Sequence, residues 1–523
     1  MSDTAHTAAS QTDKNIKRFN PPKTAPIDVA RKLETLPMIS RAQDLMRNNG
    51  VAAGALNTIV DNVVGTGLRL NTNINYKALD RTKEETDAIG ERIEALWQTY
   101  AESTDIDARG QWNFHGLTQL VAKAHIQSGE AFAIPEWSED KNKKFRTCFL
   151  VIEPEHVCNP EDKENTTNLK DGIEVNKFGG PVAYHVAKRH PNECTSIFSS
   201  QKSLNTWKRV PKQTKWGRKL IIHLFTANRP GQLRGVPAFA SSLKRFAMLD
   251  NYEESELQAA CVNAMIAAVV ETLPDSSYED IEAMFSDGTE GEGFTNYLLQ
   301  QSQQDRRLTN GRVLHTLPGE KVTSFDTKRP NAKFGDFVDT VLKHIAASFN
   351  LPVELLTKDF RDSSYSSART ALLEAWRTFK RERTHLAVYW AKEVYALWLE
   401  EVISKGLIEN VTLADFYANK NAWVTSEWIG PGKGWIDPVK EAQGSVIRIN
   451  NNLSTFTKEC AEQGEDFNDI VEVRVREMKK IKETAEANGL TLQEVYPAFS
   501  QVQINPPSKD EGDEQKKDED EDV

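Results

Sequence analysis

The chain has 523 residues, 39% of them hydrophobic and 27% charged, with a formal net charge of −11. No apolar run is long enough to cross a bilayer, and the N-terminal MSDTAHTAASQTDKN has neither an apolar core nor an Arg-rich amphipathic pattern, so a secreted or membrane-spanning protein is not expected. Residues 508–523 hold nine acidic and three basic side chains, a net of −6, which leaves a mildly acidic −5 for residues 1–507 and argues against a protein that grips duplex DNA by counterion release.

Residues 1–37 are polar, carry PPKTAP, and read as a flexible arm. Ser40 is a candidate N-cap for a helix marked by Leu56, Ile59, Val60, Val63 and Val64, which Gly65 and Gly67 end. A second helix is expected over 82–101, with Ile89, Ile93, Leu96 and Trp97 on one side, and a third over 117–128. Four runs, AFAIPEW, TCFLVIE, PVAYHVAK and KLIIHLF, are separated by Gly, Pro, Asn and Asp clusters and read as strands of a mixed α/β module, with a polar surface loop over 159–171. NRPGQLRG at 228–235 is a turn-rich junction. From Pro237 a helix is expected to run through DNYEESELQ into AACVNAMIAAVVE, where small residues would let helices approach closely.

Residues 272–333 read as a separate small unit with a helix near 276–285, the loop SDGTEGEG, and two strands, RVLHTL and KVTSF. Helix resumes over 335–350. A polar hinge then leads into a very long helix: from Ala368 to Ser404 there is no Gly or Pro, and Leu372, Trp376, Phe379, Ala387, Trp390, Val394, Trp398 and Val402 form one apolar stripe that Gly406 stops. Such a helix is on the order of 55 Å long. That length predicts packing against neighbouring subunits. Residues 407–430 are strand-like, three helices are expected from Pro438, Ser454 and Asp466, and Lys509–Val523 is an acidic low-complexity tail.

Signs of catalysis are few. The glycine-rich segments GPGKG (430–434) and GTEGEG (288–293) lack the Lys-Ser/Thr ending with which a P-loop holds phosphate and Mg²⁺, and there is no HExxH or GxSxG. The five cysteines, Cys148, Cys158, Cys194, Cys261 and Cys460, are an odd number at wide spacings, which indicates neither a disulfide framework nor a zinc knuckle and fits synthesis in a reducing cytoplasm. His185, His190, Cys194 and Cys158 match no standard zinc spacing and read as ordinary strand or loop residues. Asp466, Asp469 and Glu472 sit at helical spacing, where acidic residues complement a helix N-terminus. No enzyme, metal or cofactor is expected.

Three charged groups are left. Asp250, Glu253, Glu254 and Glu256 mark either a solvated helix or a surface that repels phosphate. Lys358, Arg361 and Arg369 bracket a hydroxyl-rich loop with Ser363, Ser364, Tyr365, Ser366 and Ser367. Arg377, Lys380, Arg381 and Arg383 lie on the long helix, and Arg383 falls within the apolar stripe, where it should snorkel or find a carboxylate, in its own subunit or across a boundary.

The run LPVELLTKDFRDSSYSSARTALLEAWRTFKRER, together with 41–70 (RAQDLMRNNGVAAGALNTIVDNVVGTGLRL), 229–236 followed by LDNYEESELQAA, and 435–443 (WIDPVKEAQ), resembles the portal proteins of lambda-like tailed phages, in the same order. The resemblance implies an elongated α+β subunit: an α/β wing (38–235), a first stem helix region (236–272), a small α/β clip inserted between stem helices (273–333), a second stem helix (334–350) and a tunnel loop (351–367). A long helix returning to the wing (368–436), an α-helical crown (437–500) and a disordered acidic tail (501–523) would complete it. It also implies a homo-oligomeric ring, usually a dodecamer, at one capsid vertex of the virion. Its partners would be terminase, head-completion or connector proteins, capsid or scaffold protein, and double-stranded DNA passing without sequence preference; no membrane is implied. By the same resemblance Lys358, Arg361, Ser363, Ser364, Tyr365 and Arg369 belong to the tunnel loop, while Asp250, Glu253, Glu254 and Glu256 are candidates to line the channel. A mildly acidic body suits a conduit through which DNA must slide without sticking. A tail or adaptor ring, or a terminase-type packaging enzyme, are the alternatives; the missing P-loop opposes the latter.

Overall fold

A computed structural model describes residues 34–191, 206–270, 312–315, 334–361, 364–434 and 437–495. The chain divides into a larger unit ending at Pro431 and a smaller one beginning at Gly432.

The larger unit opens on two helices, α1 (Thr35–Asn48) and α2 (Gly50–Val63). The single helix capped by Ser40 is corrected: Ser40 lies inside α1, and Asn49, in extended conformation with its side chain accepting from the Ala52 amide, breaks the run and caps α2. Gly65 follows at φ +55°, as the sequence implies. After strand β1 (Arg69–Thr72), helix α3 (Lys83–Glu102) starts with a reciprocal Thr82–Glu85 capping box. Helix α4 (Phe114–Ser128) is capped by Asn113 and closed by Gly129 at φ +86°.

The α/β module follows. β2 (Glu130–Trp137) lies between β3 (Thr147–Ile152) and, farther along the chain, β8 (Ile222–Phe225), all antiparallel. A second antiparallel sheet runs in chain order through β4 (Leu169–Lys170), β5 (Ile173–Val175), β6 (Pro181–Ala187) and β7 (Trp207–Pro211). All four strands expected from sequence are present. The loop over 159–171 is organised rather than merely polar: buried Asn159 donates to Lys163 O and Asn165 Oδ1 and accepts from the Gly172 amide.

Helix α5 (Leu243–Met265) begins six residues later than expected and stops at Met265. The helical reading of AACVNAMIAAVVE is therefore corrected at its end, because Ile266–Val270, rich in β-branched residues, forms β9 and pairs in parallel with β10 (Arg312–His315). β10 coincides with the RVLHTL strand; the helix near 276–285, the glycine-rich loop and the KVTSF strand lie outside the described residues. Helix α6 (Phe334–Ser348) and the short α7 (Val353–Thr357) precede the hinge.

The long helix is α8 (Tyr365–Leu386) joined through one π-helical turn (Ala387–Ala391) to α9 (Lys392–Ser404). Its C-terminus is the expected one: Gly406 adopts φ +65°, and the Leu407 amide reaches back to Val402 O at 3.2 Å. Towards its C-terminal end the stripe needs no neighbouring subunit to cover it, because Trp390 and Trp398 are at most 1% exposed within the single chain. Every residue from Val394 to Leu399 is buried, so α9 is surrounded on all faces. Trp97 meets Phe114, Trp398, Trp428 and Tyr395 edge-on or nearly so, at centroid distances of 5.0, 5.1, 5.7 and 5.8 Å. Buried Glu401 accepts from the Arg146 and Thr147 amides, both at 2.8 Å, and thereby pins the start of β3 to α9.

Beyond α9, α10 (Leu413–Ala418) and α11 (Lys420–Trp423) replace part of the expected strand-like region, and β11 (Ser426–Ile429) pairs antiparallel with β1. The smaller unit is helical as expected: α12 (Pro438–Asn450), α13 (Phe456–Glu462), α14 (Phe467–Ala487) and the short α15 (Leu492–Val495). Asp466 is the N-cap of α14, its side chain accepting from the Asn468 amide. Cys148, Cys158, Cys261 and Cys460 are free thiols, and Cys194 lies outside the described residues. Among the described residues no helix is long and apolar enough to cross a membrane.

Candidate functional site

The two helices that flank the 271–333 segment lie against each other. Tyr252 of α5 stacks on Phe334 at 5.5 Å and meets Phe337 edge-on at 4.9 Å, both at the start of α6. At the other end, Phe239, just before α5, packs on Phe349 at 4.3 Å and joins the main core together with Phe246, Leu342 and Ile345. The helices on either side of the 271–333 segment thus lie side by side.

On α5 the four acidic residues part company. Asp250, Glu253 and Glu254 are exposed, whereas Glu256 is 6% exposed. Asp250 accepts from Asn49 Nδ2 at 2.8 Å, and Glu254 accepts from Gln258 Nε2 at 3.1 Å. Partial burial and the nearby Asp250 charge raise the Glu253 carboxyl above its ordinary value.

The hinge is built from capping groups. Pro352 opens α7, Leu351 and Leu356 anchor it in the core, and Lys358 ends it in the left-handed region at φ +59°. Arg361 then folds back on Asp359, with Nε 2.9 Å from Oδ1 and Nη2 2.5 Å from Oδ2, and this pairing holds the Asp359 carboxyl at about 2. Ser364 accepts from the Ser367 amide and caps α8, of which Tyr365 is the first residue; Arg369 is half-buried one turn further on. Ser363 lies outside the described residues. Lys358 is exposed, and Arg361, though exposed, is neutralised by its own neighbour.

On α8, Arg377 forms an exposed pair with Glu374, Arg381 pairs with half-buried Glu382, and Lys380 is exposed. Within the chain Arg383 meets carbonyls rather than a carboxylate: it donates to Val63 O at 3.0 Å and Asn62 O at 2.7 Å, at the C-terminus of α2. It lies 5.1 Å over the Trp376 ring, and burial lowers its guanidinium to about 10.

Sequence reasoning missed a buried ionic centre at NRPGQLRG. Arg234 donates through Nε to Glu130 and through its terminal nitrogens to Val157 O, Asp171 O and Pro154 O at 2.7–2.9 Å. Glu130 also meets His223 Nε2 at 3.0 Å and accepts from the Gly235 amide at 3.0 Å. Burial pushes the Glu130 carboxyl up, but Arg234 and His223 outweigh it and hold it at about 2. A Cβ on Gly129 or Gly235 would strike backbone at 2.2 and 1.9 Å, which is why two glycines flank this centre. The glycine of the motif was visible in the sequence; the carboxylate partner, 104 residues away, was not.

Of the residues weighed as a metal group, Cys194 lies outside the described residues, and His185 and Cys158 have other partners. His185 Nε2 is 2.8 Å from Glu174, which also holds Arg209, and Cys158 accepts from Trp207 Nε1.

A family model described as "Phage portal protein, lambda family" matches residues 12–383, and the chain belongs to that family. Among its curated relatives are the portal protein of Escherichia phage N15, 31% identical over 88% of this chain and 87% of the relative, and portal protein B of Escherichia phage lambda, 30% identical over 90% and 89%. Similar solved structures include the neck of an empty gene transfer agent particle computed with C6 symmetry, with a TM-score of 0.42, 12% identity, and coverage of 82% of this chain and 93% of that one. The neck of a native particle computed with C12 symmetry has a TM-score of 0.40, 13% identity, and coverage of 84% and 99%.

Proposed function

We propose that this portal protein acts as the ring-forming conduit through which the phage genome enters and leaves the capsid at one vertex. The family supports that role, and the paired α5 and α6 are the observation that carries its detail: a helix pair that runs out to an inserted unit and back suits a stem with a clip at its end. In this reading the 273–333 segment is the docking surface for terminase and later for connector proteins, the ring is a dodecamer, and capsid or scaffold protein surrounds it. In this reading the subunit is structural rather than catalytic. Exposed Asp250, Glu253 and Glu254 would repel phosphate and keep DNA centred, an effect screened beyond about 10 Å at 0.1 M salt.

The hinge between α7 and α8 is the gate of this reading. Hydroxyls and a few cations meet phosphate without reading bases, and a polar loop deforms more cheaply than packed helices. Because Asp359 already occupies Arg361, Lys358 carries more of the electrostatic contact than its neighbour. Shortening 358–367 while keeping the Ser364 cap should leave ring assembly and motor docking intact and reduce full-length DNA per particle. Rings that assemble, fill and hold DNA at wild-type levels would reject the gate.

A further inference from the structure

Away from the helix pair, Glu153, Glu155 and His190 bring ligand atoms within 4.8 Å of one another. Glu153 and Glu155 lie in the turn that follows β3, and His190 lies three residues beyond the end of β6. Glu155 is only 9% exposed. Its Oε1 accepts from Gln43 Nε2 of α1 at 3.0 Å, while its buried Oε2 has no hydrogen-bond partner among the described residues. A buried carboxylate oxygen left without a donor is costly, and a cation is the ligand that would satisfy it. His190 Nε2 stands 3.7 Å from Glu153.

The supports of the cluster are themselves fixed. The Pro154 carbonyl, between the two glutamates, accepts from buried Arg234 at 2.9 Å. His156 Nδ1 lies 2.9 Å from Ala187 O and its ring meets His190 edge-on at 5.6 Å, so the two loops that supply the ligands are tied together. Such outer contacts are what orient metal ligands.

We propose that Glu153, Glu155 and His190 bind a first-row divalent cation, zinc or manganese in class. One imidazole with two carboxylates suits these ions, and a fourth position is left for water. Coordination at about 2.0–2.2 Å requires the ligand atoms to draw together by roughly 1 Å, which exposed Glu153 can do by rotating. Through Gln43 and Glu155 the ion would clasp α1 to the turn between the two sheets. The site shares one histidine with the group weighed from sequence and none of its cysteines.

The test is calorimetric titration of the full-length chain, stripped with chelator, using MnCl₂ and separately ZnCl₂, with melting curves alongside. One saturable event per subunit and a raised melting midpoint are expected. His190→Gln and Glu153→Gln, both at accessible positions, should each weaken binding about tenfold or more. Their melting midpoints in chelator should match wild type, which separates ligand loss from misfolding. A Cys158→Ser, Cys194→Ser variant should bind as wild type does. Absence of saturable binding, binding unchanged in both the His190 and Glu153 variants, or zinc binding that only the cysteine variant abolishes would overturn the site.

Discussion

Arg234 shows what one buried side chain can fix. Its fork reaches a carboxylate and three carbonyls from separate loops, so it sets the crossing of the β2 end, the 154–157 turn and the 171 loop at once. Arg234→Ala should lower the unfolding free energy by about 3–5 kcal/mol, because Glu130 would remain as an unpaired buried charge, and Arg234→Lys should rescue little of it. Denaturant midpoints measured on the same preparation would check both; a loss under about 1 kcal/mol would contradict the role. Two titratable groups also set a pH dependence. Burial and neighbouring His385 lower His125 from 6.5 to about 4, so the unfolded chain binds the proton first and stability is complete above 6.5 and declines towards 4. Glu130, depressed from 4.5 to about 2, adds a further loss as pH falls through that lower window. His125→Gln should flatten the fall in melting midpoint between pH 6.5 and 4 and leave the more acidic part; an unchanged slope would count against it.

At the scale of elements, the π-helical turn is the most informative departure from expectation. One π turn accommodates one residue more than an α turn, so deleting exposed Tyr389 should restore α-helix while keeping α8 and α9 in register with the core. Deleting buried Leu397 should instead rotate Trp398 and Val402 away from their pockets, at a cost on the order of 5 kcal/mol. Circular dichroism melts of the two deletions should therefore differ sharply, and equal losses would show that the turn is not a tolerated insertion. The stop of the long helix was legible because capping chemistry is local and Gly406 acts within a few residues, whereas its start was set three residues too late: Ser364 caps it, so Tyr365, Ser366 and Ser367 lie in the first turn of α8 rather than in the loop. Burial of α9 on all sides was not, since a three-and-four-residue stripe describes a helix with one covered face. The β1–β11 pair was equally hidden, being four residues a side and more than 350 residues apart, with no periodicity long enough to register. At the hinge a polar break between a short and a long helix could be read, but neither the Ser364 cap nor the Arg361–Asp359 pairing could, because both depend on side-chain geometry that spacing alone does not set.

For the whole molecule, the burial of Trp390 and Trp398 removes one motive for assembly, since the subunit covers the C-terminal part of its own long helix. What still points outward is the α8 surface, with Leu373 47% exposed beside solvated Arg377 and Lys380, together with the family to which the chain belongs. A surface that is not self-complementary must close into a ring or propagate as a filament. Truncating Lys509–Val523 should change neither assembly nor melting, because those residues carry like charges and little apolar surface. The direct measurement is negative-stain imaging of the purified full-length protein, with native mass spectrometry to count subunits. Closed rings with a central opening wide enough for duplex DNA are expected; monomers alone at high protein concentration, or open filaments without closed rings, would contradict the conduit.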